Sequence, residues 1–183
     1  MTASDAREAV DAATLLLDLR LTNAWENVEV IRASFERCAR EVGAKREASR
    51  ALSIVAAELA ENAVKYGYWE GRRDTFRIQL WSGPAGRAEV TVESPVGRGQ
   101  GFPLPLREAL LYLEEAESPR AAFEGRIRAL ADEEPDSDAP PTSGLGLLRI
   151  AHQEGCRLEA ELDGEVLRIR AEMQGALAGV SGG

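Results

Sequence analysis

Two stretches of strict alternation limit most sharply what this chain can fold into. Phe76, Ile78 and Leu80 alternate with Arg77 and Gln79, a turn follows at Gly83 to Gly86, and Ala88, Val90 and Val92 resume the same period. A period of two on either side of a glycine turn predicts an antiparallel hairpin with one apolar face. Arg157 to Leu162 and Val166 to Ala171, turned at Asp163 and Gly164, repeat the pattern. Thr14 to Leu21 adds a further strand, with Leu15, Leu17, Leu19 and Leu21 on one side and Leu16, Asp18 and Arg20 on the other. A sheet with one apolar face needs a covering layer, and helices are the available cover.

The helical signals lie between the strands. Trp25, Val28, Ile31, Phe35, Cys38 and Val42 form a stripe at helical spacing that Thr22 or Asn23 would cap and Gly43 would end. A second helix runs from about Arg46 to Tyr66, with Leu52, Val55, Leu59, Ala63 and Tyr66 as its stripe and Gly67 as its stop. After the glycine-rich segment Gly97 to Gly101, Pro103 to Glu117 and Pro119 to Ala131 each read as helix, and Pro119 sits where a missing amide hydrogen costs nothing. Asp132 to Thr142 is acidic and proline-rich, which marks a loop, and Gly144 to Gln153 is a short helix entered through glycines. The expected architecture is an α+β two-layer sandwich. It occupies residues 1–174, with a helical insertion over about 102–141 and a small-residue tail, 175–183, expected to be frayed.

Composition narrows the function classes. The 183 residues suit one domain, and a formal charge of −9 with no basic patch argues against nucleic acid and anionic membrane as partners. No apolar run reaches the roughly 20 residues that span a bilayer. Asp5, Arg7 and Glu8 stand where a signal peptide needs an apolar core, so a cytoplasmic location is expected. Cys38 and Cys156 have no metal-ligand spacing, and the single histidine, His152, supports neither a histidine-rich metal site nor a Ser/His/Asp triad. His152 and both cysteines read as packing residues.

Two groups of residues could carry chemistry. Glu58, Asn62 and Lys65 stand at i, i+4 and i+7 on the second helix, within about 60° of one another and at the edge of its apolar stripe. A magnesium nucleotide site needs oxygen ligands for the ion, a cation near phosphate and a carboxylate to accept a proton, and these three side chains supply one of each. The plain alternative is a half-exposed helix face with Glu61 and Lys65 as a weak pair. Thr142 to Leu148 is the second group: glycines entering a helix let phosphate approach backbone amides at the positive end of the helix dipole.

In this order around a hairpin, the two groups resemble the GHKL family of ATP-binding domains. Glu58-Leu59-Ala60-Glu61-Asn62-Ala63-Val64-Lys65-Tyr66 resembles its N box, and Ser143-Gly144-Leu145-Gly146-Leu147 its second glycine box. The resemblance implies a Bergerat-type ATP-binding fold with a helical lid. It implies ATP and Mg2+ as cofactors, Glu58 as general base, Asn62 as magnesium ligand and Lys65 as a phosphate contact. Gly144 and Gly146 would form the hinge and phosphate cradle, with Ser143 and Leu145 beside them as cofactor-binding residues. Gly97 and Gly99 correspond to the first glycine box, whose adenine-reading aspartate is absent; alternation puts its position at Ser94, glycine matching at Pro95.

A lone domain with this lid is similar to single-domain anti-sigma factors and SiaB-type serine kinases of bacterial partner-switching systems. That implies transfer of a phosphoryl group to a Ser or Thr of a small protein partner, antagonist-like or sigma-factor-like. Exposed apolar positions on the first helix or lid would allow a homodimer. The missing aspartate keeps a second reading open, a degenerate pseudo-kinase acting as a nucleotide-independent protein-binding module. The catalytic half of a sensor histidine kinase fits less well, because His152 lies inside the glycine-box helix.

Overall fold

The computed structural model describes residues 13–69, 74–132 and 144–177. Ser143, most of the acidic loop and the ends of the chain lie outside the described residues. Five strands, β1 (Thr14–Thr22), β2 (Thr75–Ser82), β3 (Ala88–Pro95), β4 (Arg157–Asp163) and β5 (Val166–Met173), form one sheet in the order β1-β2-β3-β5-β4. Every neighbouring pair is antiparallel. The helices are α1 (Glu26–Glu41), α2 (Arg46–Tyr66), α3 (Leu104–Glu115), α4 (Pro119–Asp132) and α5 (Leu145–Gln153). The chain is thus an α+β two-layer sandwich, as its alternation implies. No described helix is long and apolar enough to cross a membrane.

The alternation sorts the two faces of the sheet. Phe76, Ile78, Leu80, Val90, Val92, Leu167, Ile169 and Ala171 are buried against the helices. Their neighbours in sequence face outward and alternate in charge from strand to strand. Asp18 accepts two hydrogen bonds from Arg77, at 2.9 and 2.6 Å; Arg77 lies 3.8 Å from Glu93, and Arg168 bridges Glu93 at 2.8 Å and Glu161 at 3.4 Å. One row of ion pairs therefore crosses all five strands. Opposite charges on neighbouring strands each contribute about 0.2–1 kcal/mol.

α2 is the central helix of the other layer. Ser49, Leu52, Ser53, Val55, Ala56, Ala57, Glu58, Leu59, Ala60, Ala63 and Val64 are all buried, because α1, the sheet and α5 enclose it on three sides. Four alanines among them let these neighbours approach closely. Gly67 ends the helix as expected, in an extended conformation with its N–H on Ala63 O at 2.9 Å. A Cβ there would strike the Trp69 ring, whose Nε1 donates to Val64 O at 3.1 Å.

Three local expectations need correction. Leu15 is 41% exposed, because a bulge between Leu15 and Leu17 shifts the alternation of β1 by one residue. Neither Thr22 nor Asn23 caps α1; the cap position is Trp25, itself exposed, and the Asn27 side chain donates back to Thr22 O at 2.8 Å. The packed domain does not end at residue 174. Ala176 and Leu177 are buried, and the Leu177 N–H meets Gly86 O at 2.8 Å, so part of the tail seals the end of the sandwich.

Candidate functional site

The site is built where α2 meets α5. Glu58 is 8% exposed and points from α2 to the first turn of α5. One carboxylate oxygen, Oε2, lies where a Cβ on Gly146 would be, so only glycine at 146 leaves room for it. The other, Oε1, accepts a hydrogen bond from the guanidinium of Arg149, three residues further along the same helix face. A carboxylate this buried requires such a partner, since removing a charge from water uncompensated is costly. Asn62, one turn along α2, is half-buried and donates from Nδ2 to Glu58 O at 2.6 Å. That bond leaves the amide oxygen as the acceptor end of the side chain.

α5 is shaped to make this approach. Gly144 at its start has φ +58° and ψ 0°, the left-handed region that glycine adopts without strain. A Cβ there would also come within 3.2 Å of Pro105 O, so the residue fixes the start of α5 against the start of α3. Leu147, Leu148 and Ile150 are buried and anchor the helix, which leaves its N-terminal amides free of intrahelical partners.

Beside Asn62 lies a small cavity lined by Asn62, Ala63, Tyr66, Ser94, Pro103, Leu106, Leu167 and Ile169. Ser94 is 4% exposed and faces it from β3, while Glu93 points to the opposite sheet face and pairs with Arg168. Alternation along β3 therefore places the two side chains on opposite faces of the sheet. The cavity holds about 10 Å³, roughly one water, because Pro103 and Leu106 of the α3 entrance fill it.

Other anticipated residues lie elsewhere. Lys65 is exposed, with Nζ 5.4 Å from the centroid of the Tyr66 ring, and no ion pair among the described residues joins it to Glu58. Gly97 and Gly99 are not on the cavity wall. The N–H of Gly97 is taken by Gln100 Oε1 at 3.3 Å, and Gly99, at φ +74°, turns the exposed loop leading to α3. Leu145, half-buried, opens α5. Arg149, Pro103 and Leu106 belong to the site and carry no motif. Arg149 was visible only as a basic residue one helical turn beyond Gly146.

His152 and both cysteines pack against neighbouring side chains. His152 stacks its ring 5.9 Å from Phe123. Burial pushes the Cys156 thiol up to about 12, with Glu154 adding to the effect, and burial also raises Cys38, helped by Glu41. Neither is a reactive thiolate at neutral pH.

The donor set fits a magnesium nucleotide in kind: an amide oxygen, a carboxylate, a guanidinium, a buried hydroxyl and the open amides of α5. Space is the obstacle. A nucleobase fits beside Ser94 only once the first turn of α3 moves away from β3 and β5.

A helical layer on an antiparallel sheet, with a carboxylate and an amide one turn apart beneath a glycine-opened helix, defines a GHKL-type fold. The profile of the histidine kinase-like ATPase domain matches residues 21–153, and the chain belongs to that family. Among solved structures, it is similar to a chain in the crystal structure of the SiaB-SiaC complex from Pseudomonas aeruginosa. That match has 19% identity and a TM-score of 0.66, and covers 93% of this chain and 95% of that one. The histidine kinase domain of the blue-light activated histidine kinase from Erythrobacter litoralis EL346 is a more distant match, at 15% identity and TM-score 0.41, covering 81% of this chain and 64% of that one. No curated protein sequence matches.

Proposed function

We propose that this protein is a partner-switching regulator that binds MgATP between α2, α5 and α3 and transfers the terminal phosphoryl group to a Ser or Thr hydroxyl of a small protein. The observation that carries this reading is the meeting of Glu58 and Asn62 with the glycine-opened start of α5. MgATP supplies the phosphoryl group and the metal charge that offsets it. Asn62 offers its amide oxygen to the ion. The α5 amides and the glycines at 144 and 146 receive phosphate oxygens. Glu58 accepts the proton of the attacking hydroxyl as the new P–O bond forms and the bond to the departing diphosphate breaks. The fold likeness to a chain of the SiaB-SiaC complex supports a small protein as the partner.

Calorimetric titration with ATP and magnesium tests the binding. Saturable binding that weakens about tenfold or more in Asn62→Ala is expected. Glu58→Gln should then keep nucleotide binding while lowering phosphotransfer to the partner by about two to four decades. A second reading has its own support in the filled cavity and in Ser94 standing where an acid is expected. In that reading the sandwich binds its partner without nucleotide, and its signature is a flat titration for both wild type and Asn62→Ala.

A further inference from the structure

We infer that Arg149 is the phosphate-contacting cation of this site, and that it holds Glu58 in reserve until phosphate takes its place. The inference rests on the nucleotide reading above and replaces Lys65 in it.

The two side chains of the pair differ in freedom. Glu58's side chain is 10% exposed and packed against Gly146, whereas Arg149's is 47% exposed. The guanidinium is thus the movable member, anchored by its backbone one turn into α5. It lies over the helix end whose amides have no intrahelical partner, where an anion is drawn by both the amides and the dipole. A guanidinium fork binds phosphate as well as carboxylate, in the same planar two-bond geometry. Lys65 is badly placed for this task, with its ammonium over the Tyr66 ring on the exposed side of α2.

A separate observation points to a polar ligand in the same place. Ser94 is 4% exposed and lines the cavity next to Asn62, where its hydroxyl can meet a polar group that enters.

Exchange of partners would link binding to catalysis. While Arg149 occupies Oε1 of Glu58, that oxygen is not open to the attacking hydroxyl. When a terminal phosphate draws Arg149 away, Oε1 is opened to the attacking hydroxyl. A nucleotide lacking that phosphate leaves the pair intact. ATP should therefore be distinguished from ADP through Arg149.

The test is calorimetry of wild type, Arg149→Met, Arg149→Lys and Lys65→Met with MgATP and MgADP, alongside thermal melts of each. Wild type should favour ATP, and Arg149→Met should reduce the ATP to ADP affinity ratio about tenfold or more, with ADP affinity kept. Arg149→Lys, which keeps the charge without the fork, should fall between them and guards against a folding defect in the methionine variant. The assignment is overturned if Arg149→Met keeps the wild-type ratio, or if Lys65→Met is the variant that loses it. A wild type that binds neither nucleotide removes the nucleotide reading and this assignment together, so the two failures are distinct.

Discussion

At the scale of single residues, the site depends on glycine 146 more for the space it leaves than for its flexibility. The atom a Cβ would strike is the far end of the Glu58 side chain, which can move, and alanine favours a helix over glycine by about 0.8–1.0 kcal/mol. Gly146→Ala should leave stability unchanged or slightly raised, while displacing the carboxylate and lowering phosphotransfer at least about tenfold. Melts and a transfer assay on one preparation check both halves; a large fall in melting temperature would contradict the packing described. Cys156 gives a second residue-scale expectation. With its folded value near 12 and an unfolded thiol near 8.5, the unfolded chain ionises first, so stability should decline as pH rises between those values. Iodoacetamide at about pH 8 should label Cys156 only when the chain unfolds, read by mass spectrometry with and without denaturant. Glu58 and Asn62 were legible because positions i and i+4 share a face. Lys65 shares their angle, yet it is exposed and its ammonium lies over the Tyr66 ring, and an angular argument does not register where a long flexible side chain comes to rest.

At the scale of elements, the hairpins were legible and their irregularities were not. Period-two patterns around glycine turns placed four strands to within three residues, since apolar and charged positions have no other consistent arrangement. The bulge in β1 escaped because it is fixed by pairing with β2, through contacts distant in sequence. The closure of α3 over the cavity escaped for the same reason: Pro103 and Leu106 are ordinary helix-start residues until β3, β5 and α2 are placed beneath them. Leu106 is 3% exposed and sits in both the core and the cavity wall. Leu106→Ala should cost about 2–5 kcal/mol of stability and, by opening space beside Ser94, tighten nucleotide binding. Chemical denaturation together with nucleotide titration would show it; a loss of affinity in a folded variant would mean that α3 supports the site instead of blocking it.

At the scale of the whole molecule, the two faces of the sheet have different tasks. The inner face carries the helices and the site, and the outer face is a lattice of ion pairs. Asp18 is held below the ordinary aspartate range by its hydrogen bond from Arg77, against the opposing effect of burial. Its contribution is present above the unfolded value near 3.9 and lost as pH falls through the lower folded value. Asp18→Asn should therefore be less stable than wild type at neutral pH, and the gap should close in strong acid; a gap independent of pH would contradict the pairing. The proposed function requires that α2 and α5 together form one nucleotide-responsive site. Amide hydrogen exchange with and without MgATP addresses it most directly. The account predicts that the segment around Glu58 to Asn62 and the segment from Gly144 to Leu148 gain protection together, at the same nucleotide concentration. Protection confined to one of them, or to the outer sheet face, would contradict it.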